Sequence, residues 1–414
     1  MSSEQEASGQ VFDVVIVGGG MVGASLAIAL ARLPLRIAIV EAVPPQTGIF
    51  QPSYDMRSTA LSWGTRLIYE QLGIWSQLSP HLAPIQRIHV SDKGHLGVTR
   101  LKANDEGVDA LGYVAPNALM GAVLWEQLRS LSSVTLYAPA KVAAVWRAEK
   151  NHIELMTETG SKELLQSHLL VVADGGRSDL CRQLGIDSTE VPYDQHAVIA
   201  NVSFSRPHQF EAFERFTDTG PLAVLPLGTG AESGDCAVVW TTPETMLPAS
   251  LSWTDAEFAA GLQERFGYRL GRVVKVGERA SYPLRLVRAN EQIRPGVVVV
   301  GNAAHSLHPV AGQGYNLALR GVMSLVETLE LALQRNQKPG DYDVLDAFLT
   351  RQRDDQNKTI FFSDKITRLF SNKAQGLTLL RDAGLMGMDV LPFVKSQFAR
   401  QAMGLGGKKS LLSV

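Results

Sequence analysis

Residues 11–41 leave this chain few ways to fold. Val11 to Val17 form an apolar, mostly β-branched run, the composition of a parallel strand buried on both faces. Gly18-Gly19-Gly20-Met21-Val22-Gly23 follows, then a helix of small residues to about Leu33. A second strand, Arg36 to Val40, ends at Glu41. This is Gly-x-Gly-x-x-Gly between a strand and a helix, with an acid 23 positions after the first glycine. In such a unit Gly18 makes the tight turn, Gly20 lets the backbone approach a diphosphate, and Gly23 lets helix and strand pack closely. Glu41 is placed to accept hydrogen bonds from a ribose. The unit predicts a doubly wound α/β sheet that binds a dinucleotide.

Two further stretches have the same build. Leu169 to Ala173 is a buried strand running into Asp174-Gly175-Gly176-Arg177-Ser178, with Arg182 beyond. Its end is a ligand position of a parallel sheet, and equally a turn into a helix capped by Ser178. Val297 to Val300 is another strand. It leads into Gly301-Asn302-Ala303-Ala304-His305-Ser306-Leu307-His308-Pro309-Val310-Ala311-Gly312-Gln313-Gly314-Tyr315-Asn316, ahead of a helical segment from Leu317 to Leu333. A helix starting in such a loop offers unpaired N–H groups and a positive dipole end to an anion or an electron-rich ring. Arg57, after a turn-rich stretch, either clamps a diphosphate or is solvated.

The remaining pattern divides the chain. At 414 residues, two or three domains are expected. Residues 1–90 and 91–192 read as the cofactor-binding domain, the second stretch including part of the substrate-side sheet. Val134 to Tyr137, Val142 to Ala148 and His152 to Thr157 suggest an antiparallel meander, and Asn117 a cap for a helix over 118–131. Residues 193–285 read as an inserted, mostly antiparallel sheet with one helix over 254–266. Residues 286–340 return to the first domain, and 341–414 read as a helical region with interspersed basic residues. The net charge of −2 gives no electrostatic pull on nucleic acid. Cys181 and Cys236 are far apart, which disfavours a thiolate metal site or a disulfide framework and suits a reducing compartment. Glu4 and Glu6 precede the first apolar run, the wrong flank for a signal peptide. No apolar run reaches the ~20 residues of a membrane span.

Together, Gly18 to Gly23, Asp174-Gly175 with Ser178 and Arg182, and Gly301 to Pro309 with Gly312, Gly314 and Asn316 resemble the FAD-dependent aromatic hydroxylases, the group A flavoprotein monooxygenases. The resemblance covers nearly the whole chain. Phe213-Glu214-Arg215-Phe216-Thr217, Gly220-Pro221-Leu222-Ala223-Val224-Leu225-Pro226 and Ala402-Met403-Gly404-Leu405 resemble the ubiquinone-biosynthesis branch. It implies a Rossmann-like FAD domain with an inserted β substrate domain and a helical C-terminus. FAD is the implied cofactor, with NAD(P)H and O2 as cosubstrates. The diphosphate falls to Gly18, Gly20 and Gly23, the adenosine ribose to Glu41, and the diphosphate and ribityl region to Arg57. Asp174 and Gly175 form the dual FAD/NAD(P)H motif. Gly301, Asn302, Gly312, Gly314 and Asn316 hold the ribityl chain and isoalloxazine. The family carries Asp where this chain has Asn302, a change that removes a negative charge while keeping hydrogen bonding.

The chemistry implied is reduction of FAD by NAD(P)H, formation of a C4a-hydroperoxide with O2, and oxygen transfer to a phenol ring. His305, His308, Pro309 and Gly312 are the candidate catalytic positions, each histidine being equally readable as a brace for the loop. The implied substrate is a prenylated phenol of the 2-polyprenyl-6-methoxyphenol type, its tail lying near Phe216, Leu222 and Leu225, which ordinary core packing would also explain. Such a lipid, in a chain without a span, implies a cytoplasmic protein in peripheral contact with the membrane's inner face, or an assembly of ubiquinone-biosynthesis enzymes. Three alternatives remain: hydroxylation at another ring position, a soluble aromatic substrate held through a residue such as Arg215, and a non-catalytic flavin-fold subunit.

Overall fold

The computed structural model describes residues 9–45, 57–95, 97–176, 178–247, 252–308, 312–371 and 392–405. Three sheets organise them. The first runs β17 (Ile293–Arg294), β18 (Val297–Val299), β11 (Lys162–Val172), β1 (Gln10–Val17), β2 (Ile37–Val40), β8 (Val134–Tyr137). From β18 to β8 neighbouring strands are parallel. Parallel strands need both faces covered, so their central segments, Val14–Val17, Ile37–Val40, Leu169–Val172 and Val297–Val299, are apolar. Val14, Ile16, Ile37 and Ile39 face a core shared with α1 (Met21–Leu30). Val15, Val17, Ala38 and Val40 face a second core.

Two local expectations fail here. Val134–Tyr137 is not part of a meander: it closes the parallel sheet beside β2, while β9 (Ala140–Arg147) and β10 (Asn151–Thr157) pair antiparallel and β10 continues antiparallel to β11. Four residues carry too little pattern to name a partner. Asn117 is no cap either. It is the first residue of the helix Asn117–Arg129, and its Oδ1 accepts from Thr59 Oγ1 at 2.7 Å.

The second sheet runs β19 (His305–Ser306), β16 (Val273–Ala289), β12 (Ser188–Phe204), β15 (Asp235–Pro243), β14 (Gly220–Pro226), β13 (Glu211–Thr217), β5 (Arg87–Asp92), β6 (Val98–Lys102). Every pairing is antiparallel except β13 with β5. One face is filled by a helix, Asp255–Phe266, whose Thr254 and Glu257 form a capping box. Phe258, Leu262 and Phe266 of that helix pack with Val198, Val202, Leu222 and Val224. The third sheet, β3 (Ser58–Ser62), β7 (Gly112–Pro116), β4 (Ala83–Ile85), lies between the other two.

The other helices, in chain order, are α2 (Trp63–Gln71), α3 (Trp75–Leu78), α4 (Asn117–Arg129), α5 (Asp179–Gln183), α6 (Asp255–Phe266), α7 (Gln313–Gln334), α8 (Tyr342–Ser371) and α9 (Pro392–Ala402). α7 and α8 pack together, with Arg320 Nε 2.7 Å from Asp355 Oδ2. Beyond α9 the chain returns to the core: Met403 is buried, and its carbonyl accepts from Gly64 N–H at 2.9 Å. Cys181 and Cys236 are buried free thiols in separate cores. Among the described residues no helix is long and apolar enough to cross a membrane.

Candidate active site

The turn after β1 is fixed by sterics. Gly18 has φ +106°, and a Cβ there would collide with the Ala173 carbonyl. A Cβ on Gly23 would collide with the Gly18 carbonyl. At Gly20 a Cβ would meet nothing within 4 Å. That glycine opens α1 without a side-chain cap, so the first N–H groups of the helix face open space with the positive dipole end behind them. Glu41 does more than wait for a ribose. Its Oε2 accepts from Gly19 N–H at 2.6 Å and its Oε1 from Val43 N–H at 2.8 Å, leaving one lone-pair direction on each oxygen. The Gly19 carbonyl accepts from the Trp125 indole at 2.8 Å. Trp125, absent from the sequence reading, therefore holds the turn from its other side.

The end of β11 abuts this turn, because Gly18 packs on Ala173 and Asp174. Asp174 Oδ2 lies 3.4 Å from Leu180 N–H, while its buried Oδ1 has no hydrogen-bond partner among the described residues. Burial raises its carboxyl above the usual range. Ser178 caps α5, accepting from Cys181 N–H at 2.8 Å, so this stretch is a capped turn that also carries a carboxylate with one oxygen unpaired among the described residues. Gly175 has open space where a side chain would lie. A Cβ on Gly176 would sit 3.7 Å from the Asn302 carbonyl, and one on Gly301 would sit 3.1 Å from Val22 Cγ1. The three glycine-bearing stretches thus meet at one place. Asn302 is exposed there.

α7 supplies the second uncapped helix start. Gly312 is left-handed at φ +60°, and Gly314 has no atom within 4 Å of its missing Cβ. Asn316 is engaged inside the protein. Its Oδ1 accepts from Ser62 N–H at 2.8 Å and Thr65 Oγ1 at 2.7 Å, and its Nδ2 donates to the Ala60 carbonyl at 2.9 Å and the Gly312 carbonyl at 2.7 Å. With its amide fully used, Asn316 staples α7 to β3 and α2 instead of offering its side chain to a ligand. Behind the loop, the hydroxyls of Tyr69 and Tyr315 share a short hydrogen bond, and Ser25 Oγ lies 3.2 Å from Tyr69 and 3.4 Å from Tyr315. That buried cluster joins α1, α2 and α7. Gln313 Nε2 donates to the Ala402 carbonyl at 3.2 Å, so the return segment after α9 braces the same helix start. Arg57 is exposed, its guanidinium 5.0 Å from the centre of the Tyr282 ring on β16.

Both histidines are buried in the loop. His305 pairs in register with Arg288, is 2 % exposed, and has no partner for Nδ1 among the described residues. His308 packs edge-on against Tyr193 at 5.2 Å, and Tyr193 donates to Asp364 on α8 at 3.1 Å. Burial pushes each imidazole down to about 4, so both are neutral at pH 7 and weak as bases. Pro309 lies outside the described residues. Of the substrate candidates, Phe216 and Leu225 share the sheet face away from α6, whereas Leu222 is fully buried under α6. Leu222 is core, as strand alternation requires for residues three apart. Arg215 also points to the α6 side, its Nη1 3.4 Å from Ser91 Oγ.

The residues present fit FAD. Two uncapped helix starts, the empty volumes at Gly20 and Gly314, and the unpaired Asp174 Oδ1 face a common site. Residues 11–354 match the FAD binding domain family. A ubiquinone hydroxylase, UbiL, of Rhodospirillum rubrum is 34% identical over 396 residues, covering 95% of this chain and 90% of that protein. The 3-demethoxyubiquinol 3-hydroxylase of Escherichia coli is 29% identical, covering 96% of this chain and 99% of that protein. Among solved structures, p-nitrophenol 4-monooxygenase PnpA of Pseudomonas putida superposes with a TM-score of 0.79 at 18% identity, covering 97% of this chain and 100% of that one, a likeness of fold. The chain belongs to the FAD binding domain family and, within it, to the FAD-dependent aromatic hydroxylases of ubiquinone biosynthesis, which use NAD(P)H and O2.

Proposed function

We propose that this monooxygenase hydroxylates the aromatic ring of a prenylated phenol of the 2-polyprenyl-6-methoxyphenol type. The observation that carries the reading is the face of the second sheet opposite α6. Val198, Val224 and Val238, on the α6 side, are buried, while Ile199, Ala223, Leu225 and Val239, on the opposite side of the same central strands, retain solvent contact. That face is covered in part by the third sheet at Leu225 and by α8 against β14, and its partly exposed alkyl residues form a trough whose lining suits a prenyl-substituted ring. Arg57 stacked on Tyr282 ties that face to the cofactor side.

FAD, once reduced by NAD(P)H, supplies activation of O2 for transfer of one oxygen atom to the ring. The protein does the rest. Gly18, Gly20, Gly23 and the N–H groups opening α1 hold the diphosphate, and Glu41 takes the ribose with its free lone pairs. Asp174, Gly175, Gly301 and Asn302 meet the ribityl chain. The N–H groups opening α7, at Gly312 and Gly314, would hold the ring system and would stabilise negative charge on it. Asn316, His305 and His308 keep that loop in place.

A soluble aromatic acid held by Arg215 is disfavoured, because that guanidinium lies on the far side of the sheet. A second ring position remains an alternative, since the Escherichia coli relative is named for 3-hydroxylation. Lipid extracts of a deletion strain separate the two. Accumulation of the prenyl-methoxyphenol lacking its next hydroxyl is expected. Accumulation of a later quinone intermediate assigns the other position, and unchanged quinone rejects both. Purified protein that takes up no FAD would support the non-catalytic alternative.

A further inference from the structure

We propose that Glu214 is a catalytic residue: its carboxylate accepts the hydrogen bond, and then the proton, of the substrate's phenolic hydroxyl. This rests on the hydroxylase reading above and deepens it.

The placement follows from register. Glu214 of β13 pairs with Ala223 of β14 and with Val90 of β5. Ala223 pairs with Val239 of β15, and Val239 with Ile199 of β12. Paired residues project to one side of a sheet, so Glu214 stands on the trough face, in a row with Ala223, Val239 and Ile199. Its chain neighbours Phe213 and Arg215 project to the α6 side, where Phe213 joins the core and Arg215 reaches Ser91. Glu214 keeps solvent contact within the trough. Its nearest neighbours in that row are alkyl, and Thr99 of β6 stands beyond Val90. Other polar residues on the same face, among them Asp92 opposite Phe216, Thr241 opposite Ala197, Asn201 opposite Ala237 and Tyr282 on β16, lie one row away.

A carboxylate on a deep apolar face needs a reason. Burial pushes the Glu214 carboxyl up to about 7, and among the described residues no charged neighbour or hydrogen bond contributes. A structural acid would have a partner. An acid poised near neutral pH, among alkyl neighbours on the trough face, has the properties of a general base for a phenol, whose own pKa is near 10. The step moves one proton. The phenolic O–H bond breaks, an O–H bond forms on Glu214, and the electron pair stays on the phenol oxygen, enriching the ring positions ortho and para to it. No redox equivalent is consumed. When the hydroxylated ring gives up its ring proton to water and regains aromaticity, Glu214 returns its proton to the phenolic oxygen.

The test uses the FAD-loaded full-length enzyme with Glu214→Gln and Glu214→Leu. The probes are a 2-methoxyphenol bearing a short isoprenoid chain and its methyl ether, which has no proton to give. Binding is read from the flavin difference spectrum, and turnover from hydroxylated product against NAD(P)H consumed. The wild type is expected to bind the phenol more tightly than the ether. Glu214→Leu is expected to erase that preference. Glu214→Gln, which can accept the hydrogen bond but not the proton, is expected to keep part of the preference while product falls about 100-fold and NAD(P)H oxidation continues as peroxide release. Wild-type product formation in either variant, or an unchanged phenol-over-ether preference in Glu214→Leu, overturns the assignment. If the wild type hydroxylates neither probe but the preference exists and vanishes in Glu214→Leu, the substrate reading fails while the contact at Glu214 stands.

Discussion

Replacing Gly20 by Ala separates what the protein needs from what FAD needs. Gly20 has φ −64° and ψ −178°, a conformation open to alanine, and its Cβ would meet no protein atom within 4 Å. The unfolded chain loses entropy, which stabilises by about 0.4–1 kcal/mol, and the weaker cap costs a few tenths. The FAD-free protein should therefore keep its stability to within about 0.5 kcal/mol. A diphosphate seated on the N–H groups of α1 would be displaced by roughly the width of a methyl group. Losing one or two charge-assisted hydrogen bonds costs about 3 kcal/mol, or ~100-fold in Kd. With FAD at ~100 times the wild-type Kd, ligand binding adds about 2.7 kcal/mol to wild-type stability, and a ~100-fold weaker site keeps only about 0.4. Thermal melts with and without FAD, joined to a fluorescence titration, measure both quantities. Wild-type Kd in Gly20→Ala would remove the diphosphate from this turn. A large fall in the FAD-free melting temperature would mean that the space at Gly20 belongs to the protein.

Gly23→Ala should behave oppositely: its Cβ meets the Gly18 carbonyl, so the FAD-free protein should lose about 1–3 kcal/mol in a urea titration. Asn316→Ala leaves the Ser62 N–H and the Ala60 carbonyl without partners, and should cost about 2–4 kcal/mol and weaken FAD binding, read by the same titrations. Acid should destabilise the protein through His305 and His308. Their folded pKa values lie below the unfolded value, so the unfolded chain binds more protons and stability falls as pH drops from about 6.5 towards 4, by up to about 3 kcal/mol for each. Glutamine at either position should flatten that fall in urea titrations at pH 7 and pH 4.5.

What the sequence revealed was local. Gly18, Gly20, Gly23 and Glu41 were legible because spacing along one strand–turn–helix unit defines their geometry. Trp125 on Gly19, and the Ser25, Tyr69 and Tyr315 cluster, were not, because each joins elements far apart in the chain. Asn316 lay within a visible motif, yet its work is to hold Ser62, Thr65, Ala60 and Gly312, which only folding brings to it. The fault at Leu222 was avoidable, since strand parity alone separates it from Leu225. The same parity singles out Glu214 from Phe213 and Arg215 once the filled face is known.

The bond from Gly64 N–H to the Met403 carbonyl, with Gln313 on Ala402, has a consequence in time. At translation rates of about 5–20 residues per second, residue 403 is made roughly twenty seconds to a minute after residue 64. For that interval α1 and the glycine turn exist on the ribosome without the brace at the start of α7. The residues that hold the glycine turn, Trp125 and Ala173, are made well before Ala402 and Met403, so the brace at the start of α7 is the last of these contacts to become available. A variant that stops before Ala402 would reproduce that early stage as a lasting state.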